Sequence, residues 1–352
     1  MSIREILQKA VEERASDVFI VAGLPVSVRN NGMIVRQHDE KLLPQDTELL
    51  LKEIYMLAGD RDLCILEAGG DDDFSFAIPG LSRFRVSAFK QRGSLSAVIR
   101  IITFELPDYS ELEIPQQIID MGKYSSGMVL VTGPAGSGKS TTLSCIIDRI
   151  NKSKEAHIIT LEDPLEFLHR HSRSIVTQRE ISVDTENYVT ALRAALRQSP
   201  DVILLGEMRD YETISIAMTA AETGHLLFST LHTIGAANTI DRIIDVFPAN
   251  QQRQVAVQLS MVLNAVISQQ LVPTVDGSIV PAFEIMTVTP AIRNMIRENK
   301  IPQIEGLIYS SAKDGMNSMD SSLRKLYEKG RITRDTALIY ATNPEMLERK
   351  LK

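Results

Sequence analysis

The chain has 352 residues, 44% of them hydrophobic, with 45 acidic against 38 basic side chains and a formal net charge of −7. That length suggests two domains with a small appendage and ample apolar material for their cores, and the acidic balance argues against nucleic acid as the main partner. Cys64 and Cys145 stand far apart in no metal-ligand spacing, which argues against a tetracysteine zinc site, favours a reducing compartment and leaves both as small buried apolar residues.

Residues 3 to 15 place Ile3, Ile6, Leu7, Ala10 and Val11 at helical spacing directly from the start of the chain, with no signal peptide ahead of them. No apolar run reaches the roughly 18 residues that span a bilayer, so no direct membrane insertion and a cytoplasmic location are expected. A strand at Asp17 to Val21 follows, then a hairpin of Val26 to Arg29 and Met33 to Arg36 around the Asn30-Asn31-Gly32 turn. After a helix from about Gln45 to Leu57 come three strands, Asp73 to Ile78, Phe84 to Lys90 and Leu95 to Ile102, separated by Pro79-Gly80 and Arg92-Gly93. Residues 1–102 therefore read as an α+β domain with an antiparallel sheet. Arg83 and Arg85 alternate with Phe84 and Val86, and Arg92 and Arg100 lie close by. Two readings stand for these arginines: a solvated strand face, or a set of guanidinium forks for phosphate oxygens.

Residues 103–115 hold Pro107, Asp108, Ser110, Glu111, Glu113 and Pro115, the polar, proline-bounded composition of a linker. The second domain, 116–289, opens with the run Met128 to Val131, a buried strand that delivers Gly133-Pro134-Ala135-Gly136-Ser137-Gly138-Lys139-Ser140. This is the phosphate-loop spacing, and the helix expected from Thr141 to Ile150 completes its strand–loop–helix context. Glycines let the backbone bend around a phosphate, the loop and helix amides point at the anion, Lys139 brings a point charge and the Ser140 hydroxyl reaches a Mg²⁺ ion.

Two further strands end in acids. His157 to Leu161 leads into Glu162-Asp163-Pro164-Leu165-Glu166, and Asp201 to Leu205 leads into Gly206-Glu207-Met208-Arg209-Asp210. Carboxylates at the carboxyl ends of strands beside a phosphate loop sit where open α/β sheets bind ligands, although an acidic turn is the plainer alternative for residues 162–166. Glu207 is the acid expected on the Mg²⁺ side, with Gly206 at the usual Asp position. A short strand at Ile175 to Gln178 and a helix from about Tyr188 to Gln198 lie between them, and a helix from about Asp210 to Thr223 comes next. His225 and His232 bracket the following strand, as structural histidines or as site residues. Helices are expected from Ala236 to Val246 and from Asn250 to Leu271, then a strand at Pro281 to Met286. Residues 290–352 read as a helical tail: Pro290 to Glu298, Ile301 to Tyr309, Met319 to Glu328 and Thr333 to Tyr340.

Taken together, the phosphate loop, the 162–166 and 206–210 acids, and Gly224-His225 through His232-Thr233 resemble the Walker A, Asp, Walker B and His boxes of the secretion-superfamily ATPases. The likeness extends to Ser16-Asp17 and to Thr239 through Pro248, and Ala291 through Glu298 resembles the C-terminal motif of the family's type IV pilus retraction branch. It implies a PAS-like N-terminal α+β domain, a RecA-like P-loop ATPase domain and a helical C-terminal subdomain. It further implies a homohexamer that hydrolyses ATP with Mg²⁺, sits at the cytoplasmic face of the membrane through partners, and acts on an inner-membrane pilus platform protein. Carried over by position, Gly133 through Thr141 bind the nucleotide, together with Glu162 and Asp163; Ser140 and Glu207 hold Mg²⁺; Glu166 is the general base. His225 and His232 sense the γ-phosphate or couple subunits, and Arg83, Arg85, Arg92, Arg197 and Arg209 neutralise charge on domain closure. Departures from the family pattern are Ala135 for Thr, Ser229 for Gly, Gln198-Ser199 for an acidic pair, Met295 for Leu and Val18-Phe19 for Leu-His. Within the family, the alternative is a pilus assembly or type II secretion ATPase; outside it, a nucleotide-gated scaffold without turnover.

Overall fold

Period-two alternation in the first third of the chain and buried, unalternating strands in the rest produce two separate sheets. The computed structural model describes residues 2–30, 32–102, 106–311 and 315–351. They fall into two compact units, 1–105 with 166–168, and 106–165 with 169–352. Residues 103–105 of the expected linker, and Asn31 of the hairpin turn, lie outside the described residues.

In the first unit, helix α1 (Ile3–Glu12) is started by a capping box in which Ser2 and Glu5 satisfy each other's backbone N–H groups. Strands β1 (Asp17–Ile20), β2 (Ser27–Asn30) and β3 (Met33–Arg36) precede helices α2 (Pro44–Leu57) and α3 (Cys64–Gly69), and β4 (Asp71–Ile78), β5 (Ser82–Gln91) and β6 (Ser94–Ile102) follow. All pairings are antiparallel, in the order β3-β2-β1-β6-β5-β4. Phe74, Phe76, Phe84, Val86 and Ile99 point inward against Leu7, Leu51 and Ile54 of the helices. Helix α3 has no strong signal in the sequence. It turns Leu66 inward and Cys64 outward, so Cys64 is exposed rather than buried.

Asp72 of β4 is a buried, tightly held acid of this unit. Arg61 grips it with two N–H donors at 2.8 and 2.7 Å, and the Tyr55 hydroxyl donates at 2.8 Å. Arg61 above all, and Tyr55 after it, hold the carboxyl below its ordinary range against the opposing effect of burial. Its stabilising contribution is therefore full above the unfolded pKa near 3.9 and fades as pH falls through the lower folded value. Asp72→Asn is expected to cost about 2 kcal/mol at pH 7, read by denaturant unfolding, and the gap to the parent should close as the pH is lowered below 4.

In the second unit, helix α4 (Gln116–Asp120) leads to β7 (Gly127–Thr132), α5 (Lys139–Ser153), β8 (His157–Glu162) and β9 (Ile175–Glu180). Then come α6 (Tyr188–Ala195), β10 (Val202–Leu205), α7 (Tyr211–Glu222), β11 (Leu226–Leu231), α8 (Ala236–Asp245) and α9 (Ala249–Val262). Strands β12 (Leu263–Pro273) and β13 (Ile279–Thr287) complete a seven-stranded sheet in the order β13-β12-β7-β11-β10-β8-β9, parallel except for β13. β7 shows why it is central: Val129 and Val131 face Ile146, Ile147 and Ile150 of α5, while Met128 and Leu130 face the core shared with α6 to α9. Burying each such side chain contributes about 1.5–3 kcal/mol, so strands covered on both faces read as unbroken apolar runs.

The helix expected through Leu271 is a correction. The helix stops at Val262 and the chain continues as β12. Asn264, Ser268, Gln269 and Gln270 interrupt Leu263 to Leu271 with neither a period of two nor one of 3.6, and nearly every residue of the run is buried whichever face it points to, so no pattern separates strand from helix. Residues 106–115 also differ from a free linker: Ile114 is buried, and Tyr109 and Leu112 pack with it against the α5 core. The last helices, α10 (Pro290–Arg297), α11 (Gln303–Ser310), α12 (Met319–Glu328), α13 (Arg334–Ile339) and α14 (Pro344–Glu348), share cores with this sheet. Ile292, Ile296, Ile304 and Ile308 join the α7–α9 side, and Met319, Leu323 and Ala337 pack on Val272 and Val280. Among the described residues, no helix is long and apolar enough to cross a membrane.

Candidate nucleotide site

β7 ends at Thr132 and α5 begins at Lys139, so the intervening loop must reverse direction over the end of the sheet. Gly133, Gly136 and Gly138 make that bend at φ 143°, 74° and 84°. A Cβ on Gly133 would lie 2.1 Å from the Gln269 carbonyl oxygen, and one on Gly138 would lie 2.9 Å from Gln269 Nε2. Gln269 of β12 thus forms the floor of the loop, and its Oε1 also accepts a 2.7 Å hydrogen bond from Thr142 Oγ1 of α5. Lys139 is buried, and its Nζ donates to Gly133 O at 3.0 Å and Pro134 O at 2.9 Å, folding the ammonium back over the loop. Ser137 is buried within the loop, its Oγ without a hydrogen-bond partner among the described residues. Ser140 and Thr141 are half-buried in the first turn of α5, at the positive end of the helix dipole.

The acids arrive from neighbouring strands. β11 lies between β7 and β10, and Thr230 of β11 pins the loop after β10: its Oγ1 donates to Gly206 O at 2.6 Å, and its carbonyl accepts from Met208 N at 3.1 Å. Glu207 therefore stands at the carboxyl edge of the sheet. Its Oε2 meets Arg209 Nε at 2.7 Å and His232 Nε2 at 3.3 Å. Its side chain is only 15% exposed, against 74% for Arg209 and 51% for His232, so the carboxylate is the fixed member of the group. Asp210 caps α7 through Thr213. Glu162 is buried at the end of β8, Asp163 and Glu166 are exposed, and Glu166 falls with the first compact unit.

Tyr188 and Gly206 belong together. A Cβ on Gly206 would lie 2.7 Å from the Tyr188 hydroxyl, so the missing side chain makes room for the phenol. Burial first, then the charges of Glu207, Asp163 and Glu162, push this phenol well above its ordinary pKa and keep it protonated. The sequence reading missed Tyr188, Gln269, Ser268 and Glu284. Ser268 Oγ accepts from Gly235 N at 2.9 Å, and buried Glu284 accepts from Ala236 N at 2.8 Å, so both fix the loop between β11 and α8. Ser268 and Gln269 were visible as polar residues inside a largely apolar run, but only a strand assignment for residues 263–273 places them.

Two expected site residues are corrections. His225 precedes β11, where its carbonyl accepts from Gly127 N and its Nδ1 lies 2.9 Å from Ala220 O at the end of α7. The phosphate loop lies at the other end of β7, about 20 Å away along six residues. Arg197 lies beyond α6 next to Gln198, whose carbonyl meets His157 at the start of β8, and so also occupies the entry edge of the sheet. In parallel strands, residues before a strand and after it are separated by the strand's full length.

Arg83, Arg85 and Arg92 belong to the first unit. Arg83 and Arg85 share one face of β5. Arg85 is paired across strands with Arg100, which meets Asp17 at 3.2 Å; Asp17 also meets Arg29 at 3.8 Å. Arg92 stands in the β5–β6 turn at φ 51°.

Residues 1–310 match the family described as type II/IV secretion system protein. The chain belongs to that family. Among its relatives, the type IV pilus retractation ATPase PilT of Pseudomonas aeruginosa is 45% identical over 345 residues, covering 98% of this chain and 99% of the relative. A twitching motility protein of Neisseria gonorrhoeae is 42% identical over 347 residues, covering 98% of this chain and 92% of that protein. A crystal structure of the pilus retraction motor PilT with bound ADP matches with a TM-score of 0.90 and 45% identity, over 99% of both chains. The family fold, an N-terminal domain followed by a RecA-like ATPase domain, accounts for the two sheets described above.

Proposed function

We propose that this chain is an ATP-hydrolysing motor that powers type IV pilus retraction. The observation that carries the reading is the convergence of the phosphate loop with Glu162 and the Glu207–His232–Arg209 group on the carboxyl edge of one sheet. Loop amides and Lys139 bind the β- and γ-phosphates; Lys139 trades its carbonyl partners for phosphate oxygens without leaving the loop. Ser140 and Glu207 are hard oxygen donors, and both partners of Glu207 contact Oε2, so these two residues would hold Mg²⁺. Mg²⁺ held there would neutralise charge on the transferring phosphoryl group. Glu166 takes the proton from the attacking water, and ATP and water become ADP and phosphate. His232 and Arg209 report the phosphate state through Glu207. Arg83, Arg85 and Arg92 add charge neutralisation from the N-terminal domain.

The active form is a homohexamer at the cytoplasmic face of the membrane, docked on a pilus platform protein. The test is ATP turnover measured alongside mass by light scattering, with and without Mg²⁺ and ATP, and pilus retraction in cells. Turnover by a particle near six protomers is expected, and cells lacking the chain should keep their pili but lose twitching. Tight ATP binding by a monomer without turnover would replace the motor with a nucleotide-gated scaffold, and loss of surface pili would make it an assembly ATPase.

A further inference from the structure

Beside the phosphate loop lies a cavity of about 200 Å³, bounded by Gly138, Thr141 and Thr142 at its inner end. Its walls are largely apolar: Leu112 and Ile114 come from the segment before α4, and Leu271, Ile279 and Pro281 from β12 and β13. It has room for a planar ring rather than for a single water. A nucleotide whose phosphates lay on Lys139 and Ser140 would have this space beside the first turn of α5 open to its base.

The two walls differ in build. One is sheet; the other, residues 106–115, has no regular secondary structure and has Glu113 at φ 54°. That left-handed conformation is easy for glycine and costs any other residue about 1 kcal/mol. The glutamate that stands there reaches Arg331 with Oε1 2.9 Å from Nη2. Arg331 is itself anchored by its backbone, donating to Leu326 O at 3.0 Å and accepting from Val275 N at 3.0 Å. The pair thus ties that wall to the C-terminal end of α12 and to the β12–β13 turn.

We infer that Glu113 and Arg331 form a latch that positions residues 111–114 as the outer wall of a base subsite for the ATP purine. The inference rests on the ATP reading above and adds two positioning residues to it, neither of which touches phosphate. Both side chains are nearly half exposed, 46% and 40%, so the latch is screened by salt and modest in strength.

The test is calorimetric binding of Mg-ATP and of inorganic tripolyphosphate to the full chain. Arg331→Leu keeps the aliphatic stem and removes the charge; it should weaken ATP binding about threefold and leave tripolyphosphate unchanged. It should raise KM for ATP with kcat held. The exchanged pair, Glu113→Arg with Arg331→Glu, should restore ATP affinity, and high salt should bring the parent towards the single variant. Unchanged ATP affinity in Arg331→Leu, or equal weakening of tripolyphosphate, would overturn the latch. A parent that binds tripolyphosphate as tightly as ATP would remove the base subsite with it. A parent that binds neither would remove the ATP reading itself.

Discussion

Glu166→Gln should lower kcat for ATP hydrolysis by about two to four orders of magnitude and leave ATP affinity within a few fold. The amide keeps the length and shape of the side chain and can still hold a water by hydrogen bond, but it cannot accept the water's proton. Glu207→Gln makes the informative contrast. It removes the charge that Arg209 and His232 share at 2.7 and 3.3 Å, and with it half of the expected cation ligand set. Its loss should therefore show as a raised Mg²⁺ requirement as well as slower turnover. The measurement is single-turnover phosphate release at saturating ATP across a Mg²⁺ titration. If Glu166→Gln turns over at the parent rate, Glu166 is not the base and the assignment made from the sequence is wrong.

Gly133→Ala should abolish nucleotide binding and destabilise the ATPase unit by about 3–5 kcal/mol, the sum of a forbidden backbone and an overpacked contact. The added methyl would lie 2.1 Å from a backbone carbonyl, Gln269 O, which belongs to a central strand and cannot retreat. Gly136→Ala is the control. Its φ of 74° is also left-handed, but nothing lies within 4 Å of the new Cβ, so a cost of about 1–2 kcal/mol with a folded, weakly binding protein is expected. Thermal unfolding with and without ATP separates the two. Equal behaviour of the two variants would mean that the loop tolerates the Gln269 contact by moving as a body.

The parts of this molecule that were readable in the sequence are those whose chemistry needs consecutive residues. The phosphate loop is defined by glycines, a lysine and a hydroxyl in one stretch, and its strand and helix follow from it. Glu162 and Glu207 were found because each ends a short apolar strand. What failed was information that no single stretch contains. The run from Leu263 to Leu271 is buried on both sides, so its strand character comes from β7 and β13 beside it. Gln269 then looked like a polar residue on a helix instead of the floor of the loop. His225 and Arg197 were assigned to the site by family resemblance, although strand direction places them at the opposite edge of the sheet from this chain's own phosphate loop. Tyr188 had no motif at all; its role is visible only where its hydroxyl fills the space that Gly206 leaves open.

Ser268 and Gln269 are successive residues of β12, so they face opposite sides of the sheet. One receives the amide ahead of α8; the other underlies the phosphate loop and receives the first turn of α5. The two halves of the nucleotide site are thus phased by a single peptide unit. A substitution at either position disturbs one half only. A one-residue insertion or deletion upstream in β12 would exchange their faces and leave both halves without support. Replacing side chains in place within β12 is consequently expected to be tolerated far better than any change in the strand's length.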